Sequence, residues 1–257
     1  MFTSEERARL RSELLEFAKT DPRITAAAIT GSLAQDREDE WSDIDLAFSV
    51  ANASDIPQAL ADWTKHLYES HSVLHHLDVK AGSWTYRVFL LANTLQVDLA
   101  FVGADEFRGL APTFRLVFGA ANEPRHLPPP NVSDLIGVGW LYALHVRSAI
   151  ARDRFWQAEY MIHGMRDHAL ALACVSRGLP GIHGRGFHLL PGEVTARFES
   201  SLVRELARSE LLRAFREVTD SFLSEIKHAD LELGQRLQGV LMELTEIRSA
   251  GAEPNSV

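Results

Sequence analysis

The sequence predicts an α+β domain built on a mixed sheet with helices, followed by an all-α helical bundle. Three observations predict it. Short β-favouring runs alternate with helical periods over the first hundred residues, a Pro-rich segment interrupts the chain near residue 125, and only helical periods follow it.

Residues 4–19 open with Ser4 as a candidate N-cap and place Leu10, Leu14 and Phe17 at three- and four-residue spacing, the pattern of an amphipathic helix that Asp21-Pro22 stops. Residues 24–30 and 44–50 are β-favouring runs separated by a polar loop. A helical period resumes over 56–71. Three strands are then expected at 74–80, 85–91 and 95–102, divided by Ala81-Gly82-Ser83 and Ala92-Asn93-Thr94.

The segment from Asn122 to Pro130 holds four prolines and sustains neither a helix nor a central strand, which makes it the expected domain boundary. The reading is therefore a sheet domain at 1–122, a helical acceptor-binding domain at 131–250 and a flexible tail at 251–257. Within the second domain, helices are expected at 133–152, 155–177, 193–207 and 209–249. Ser133, Pro191-Gly192 and Ser209 serve as start signals and Gly178 as a stop.

Composition narrows the function. Of the 257 residues 46% are apolar, enough for a substantial core, and the formal net charge is −9. That charge argues against a nucleic-acid partner, whose backbone calls for a basic groove, and suits a neutral or cationic acceptor. The one cysteine, Cys174, lies in an apolar run and reads as a small buried hydrophobe. No leader pattern and no apolar run near about 20 residues is present, so a cytoplasmic protein with no membrane partner is expected.

Chemistry concentrates in three separated places: Gly31-Ser32 after one strand, Asp43-Ile44-Asp45 at the start of the next, and Asp98 inside the apolar run 95–101. Each alone is a weak signal. Side chains alternate faces along a strand, so Asp43 and Asp45 point the same way. A carboxylate between Val97 and Leu99 is costly in a packed interior unless it meets a cation or another partner. Mg²⁺ favours such hard oxygen ligands, Gly31 permits close approach of a polyphosphate, and Ser32 offers a hydroxyl to it. The plain alternative is that Asp43 shapes a turn, Asp45 is solvated and Asp98 pairs with Arg87.

Gly31-Ser32, Ser42-Asp43-Ile44-Asp45-Leu46 and Val97-Asp98-Leu99 together resemble the signature of the DNA-polymerase-β-type nucleotidyltransferase superfamily, over roughly residues 24–102. The helical half resembles, in architecture more than motif, the C-terminal domains of bacterial adenylyltransferases that modify aminoglycosides or lincosamides. The resemblance implies that Asp43 and Asp45 hold Mg²⁺, with two ions possible, and that Gly31 and Ser32 hold the phosphates of ATP or another nucleoside triphosphate. It implies that Asp98 is a ligand or general base. The implied activity moves a nucleoside monophosphate to a hydroxyl of a small molecule such as an aminoglycoside-like antibiotic. A protein acceptor, as in toxin–antitoxin adenylyltransferases, and a non-catalytic nucleotide-binding module stay open beside it.

For the acceptor, Trp156, Glu159, His163 and Arg166 share one stripe of a helix whose other side is apolar, an arrangement equally suited to a solvated face. Arg185, in the loop Gly181-Ile182-His183-Gly184-Arg185-Gly186, is a candidate for the triphosphate, although that loop lacks the spacing of a known phosphate motif. His71, His75 and His76 read as surface or packing histidines.

Overall fold

The computed structural model describes residues 1–247. The chain divides into two compact units, the first Met1–Leu127 and the second beginning at Pro128. The first is α+β and the second all helical.

The first unit runs α1 (Ser4–Thr20), β1 (Ile24–Thr30), β2 (Ile44–Val50), α2 (Ile56–Ser70), β3 (Val73–Ala81), β4 (Trp84–Leu91), β5 (Gln96–Gly103) and β6 (Phe114–Phe118). The six strands form one sheet in the order β3-β4-β5-β2-β1-β6, in which β2 and β5 run parallel and every other pair antiparallel. Alternation sets the two faces. Ile44, Leu46, Phe48 and Val50 of β2 join Val97, Leu99 and Phe101 of β5 beneath Leu10 and Leu14 of α1 and Leu60, Trp63 and Leu67 of α2. The opposite face of the central strands carries small residues, Ala26, Ala28, Ala47 and Ala100, packed with Trp84 and Phe107.

Helix α1 is capped by Thr3, not Ser4. The Thr3 side chain accepts from the Glu6 amide and Glu6 accepts from the Thr3 amide, a reciprocal capping box that satisfies two otherwise orphaned donors. Strand β6 falls in a stretch where no strand was expected. It pairs with β1 at the sheet edge, so its partner becomes visible only in three dimensions.

The second unit comprises α3 (Val132–Ala151), α4 (Phe155–Val175), α5 (Gly192–Glu199), α6 (Arg208–Ala229) and α7 (Leu231–Leu244), around a core that includes Ile150, Met165, Leu172, Phe215 and Phe222. Two helical expectations need correction. The segment read as one helix over 209–249 breaks at Asp230, whose extended backbone ends α6 and whose carboxylate accepts the Leu233 amide to cap α7. The expected helix over 193–207 stops at Glu199, where the Ser200 and Ser201 hydroxyls turn back onto the Arg197 and Phe198 carbonyls. Glu225, fully buried on α6, is satisfied by Arg177 and Arg197, each at 2.6 Å. The tail expected at 251–257, like the last residues of the 209–249 helix, lies outside the described residues.

Candidate active site

Parallel pairing of β2 with β5 places Asp45 directly opposite Asp98, and Asp43 stands two residues before Asp45, just ahead of β2. One oxygen from each of the three carboxylates lies within 4.8 Å of the others, and all three side chains are half-buried. Among the described residues this is the sole group of three or more His, Cys, Asp or Glu close enough to share a cation.

The turn that follows β1 is shaped to this cluster. Gly31 adopts φ +67°, a left-handed conformation that disfavours a side chain, and a Cβ built on it collides with the Asp45 carboxylate. Ser32 follows, its hydroxyl donating to that of Ser42 at 3.2 Å, and with Thr30, Asp43 and Asp45 it lines one depression. The loop from Asp36 to Ser42 is pinned from beneath by Arg7. This arginine sits on the apolar stripe of α1 at 2% exposure, donates to the carbonyls of Asp39 (2.7 Å) and Ser42 (3.0 Å), and pairs with Glu38 at 3.0 Å. Asp39 closes the loop by accepting from the Trp41 amide and the Ser42 hydroxyl.

Burial pushes the Asp98 carboxyl up to about 6; the Gln96 amide opposes that rise and the neighbouring Asp43 charge adds to it. Gln96, on the same face two residues earlier, donates to Asp98 at 3.1 Å and to Asp43 at 3.3 Å, and so ties the acids of the two strands together. Arg87, the alternative partner of Asp98, is engaged elsewhere. It forks onto Asp78 at 2.6 and 2.7 Å and donates to Leu60 and Thr64 of α2, on the helix-covered face.

The donor set fits a divalent cation. Three hard carboxylates converge and, among the described residues, no lysine or arginine is hydrogen-bonded to Asp98 or Asp43; the Asp98 charge is expensive where it stands unless a cation offsets it.

The sequence reading missed Arg7, Gln96 and the loop clasp of Asp39 with Ser42. The first two left a signal: Arg7 is a cation in register with Leu10 and Leu14 on a core stripe, and Gln96 shares the strand face of Asp98 by simple alternation.

In the helical unit, Trp156 and His163 are exposed and Glu159 half-buried on α4. Arg166 is buried. It donates to the Ser201 carbonyl at 3.1 Å and meets His163 at 3.0 Å, while His163 pairs with Asp167 at 3.2 Å. The stripe is thus partly turned into the bundle. Arg185 is exposed beside His183 and Gly184, both at positive φ.

No family model and no curated protein matches the chain. Among solved structures, the crystal structure of an aminoglycoside 6-adenyltransferase from Bacillus subtilis aligns over 95% of this chain and 99% of its own, at 14% sequence identity and a TM-score of 0.41. That likeness is too loose to carry a function from one chain to the other. No helix among the described residues is long and apolar enough to cross a membrane.

Proposed function

We propose that this protein is a metal-dependent nucleotidyltransferase, moving a nucleoside monophosphate from ATP or another nucleoside triphosphate to the hydroxyl of a small molecule, with aminoglycoside-like antibiotics the first acceptors to assay. The observation that carries it is the meeting of Asp43, Asp45 and Asp98 beside a glycine turn that has no room for a side chain.

Asp43 and Asp45 are the residues to hold Mg²⁺, with Asp98 completing the set. When bound, the cation supplies charge neutralisation for the triphosphate and a template for its reacting end. Gly31 and Ser32 receive the phosphates. Asp98, on the strand beside Asp45, takes the proton of the acceptor hydroxyl. The acceptor oxygen bonds to the α-phosphorus, the bond from that phosphorus to the bridging oxygen breaks in line, and pyrophosphate leaves. Positioning and charge stabilisation carry most of the acceleration in such transfers. From the helical unit, Trp156, Glu159, His163 and Arg166 are proposed for the acceptor and Arg185 for the polyphosphate. A cytoplasmic setting follows from the need for nucleoside triphosphate.

The test is to incubate the purified protein with Mg²⁺ and each nucleoside triphosphate against a panel of aminoglycosides, lincosamides and nucleotides, reading pyrophosphate and product mass. Product carrying an added nucleoside monophosphate supports the reading. Nucleotide binding with no pyrophosphate from any acceptor favours a binding module, and label appearing on cellular proteins favours a protein acceptor.

A further inference from the structure

The face of the sheet that carries Asp98 does not end at the carboxylates. Read across the strands, Asp98 of β5 stands opposite Val88 of β4, and Val88 opposite Leu77 of β3. The flanking rows are Gln96, Leu90 and His75 on one side and Ala100, Tyr86 and Val79 on the other. Directly paired residues share a face, so these nine side chains form one continuous surface beginning at the reactive acid.

Beyond the β5 column this surface is almost wholly apolar and uncovered. Leu77 is 50% exposed, Val79 48% and Leu90 48%, while Tyr86 and Val88 are half-buried. The charges of the same two strands, Asp78, Lys80 and Arg87, lie at alternate positions and so on the other face; Arg87 and Asp78 bond each other there against α2. A sheet elsewhere built with a covered apolar face and small residues on the other thus leaves aliphatic side chains in water beside its acids. Contiguous apolar surface of that kind marks a place where something binds.

We infer that the acceptor is amphipathic, with an apolar body lying on Leu77, Val79, Val88 and Leu90 while its hydroxyl meets Asp98. The inference rests on the nucleotidyltransferase reading and narrows its substrate class. Strands lie about 4.8 Å apart, so the platform reaches roughly 10 Å from the carboxylate, the length of a short alkyl chain or a two-ring body. A polycation finds no acidic partner on it past the three aspartates. A macromolecular occupant is disfavoured by continuity: the apolar rows lead straight into the acids, where a small hydroxyl compound spans both.

The experiment uses a series that varies only the apolar part, methyl, butyl and hexyl glucoside, with an aminoglycoside as the polar contrast. Leucine and valine methyl NMR spectra of the full chain are recorded with Mg²⁺ and ATP, alongside pyrophosphate release. Shifts at Leu77, Val79, Val88 and Leu90 that grow with chain length, and turnover with hexyl glucoside at least about tenfold above methyl glucoside, are expected. The Leu77→Ser/Leu90→Ser variant should bring that ratio to about one.

Hexyl glucoside leaving those methyls unmoved up to its solubility limit overturns the inference. So does an aminoglycoside that turns over as well as the amphipathic compounds, or shielding of the same methyls by self-association. A wild-type protein that binds no nucleotide in the same spectra instead refutes the enzyme reading itself.

Discussion

Asp45 and Asp98 face each other across the parallel β2–β5 pair, so two carboxylates from separate stretches of chain occupy adjacent positions on one sheet face. Asp98 is half-buried there and its carboxyl is pushed up to about 6, chiefly by burial.

Replacing Asp98 with Asn separates stability from function. The metal-free variant should unfold a few degrees higher than wild type, because a desolvated, self-repelling charge is gone. Its transfer activity should fall by about a thousandfold. Mg²⁺ should raise the wild-type melting temperature, as any ligand of the native state does, and raise that of Asp98→Asn much less. Thermal melts with and without Mg²⁺, together with a pyrophosphate assay, check all three.

Gly31→Ala puts a methyl group against the Asp45 carboxylate on a backbone at φ +67°. A destabilisation of about 1–3 kcal/mol is expected from strain. Transfer should drop about a hundredfold as the carboxylate moves from its place. Urea unfolding and steady-state rates give the two numbers, and a variant as active as wild type would remove Gly31 from the site.

Arg7→Met deletes the donor that holds the Asp39 and Ser42 carbonyls and leaves Glu38 with Arg11 alone. A loss of about 2–3 kcal/mol is expected, since the orphaned groups lie partly buried. Weaker Mg²⁺ binding should accompany it, because Ser42 adjoins Asp43; calorimetric titration with the metal alone reads this directly.

Acid should loosen the helical unit through Glu210. Arg213 holds its carboxyl down to about 2, and the Arg204 amide adds to the effect. A depressed carboxylate contributes stability above its unfolded value of 4.5 and loses it as pH falls from there toward 2. The urea midpoint of Glu210→Gln should therefore lie below that of wild type at pH 6 and close on it only as the pH falls toward about 2, followed by circular dichroism.

Much of the sheet unit was legible because its signals are local. Residues 24–30 and 44–50 are short β-favouring runs, and Asp98 stands out as a charge in an apolar strand. What the sequence withheld depends on partners. Strand β6 owes its existence to the free edge of β1, and its segment has neither the length nor the neighbours to announce that. Asp230 ends a helix without proline or glycine, by an extended backbone and a carboxylate turned to the following helix. An apolar period therefore read straight through it. The burial of Arg166 was equally hidden, because the Ser201 carbonyl that receives it comes from a turn 35 residues away.

The lone parallel pairing among the described strands has a consequence for biosynthesis. Between Asp45 and Asp98 the chain must lay down α2 and the β3–β4 hairpin before β5 can slot in beside β2. A nascent chain emerging from the ribosome therefore carries two of the three acids well before the third can join them. The acid cluster is complete only once β5 has joined β2, before any of the helical unit has been made.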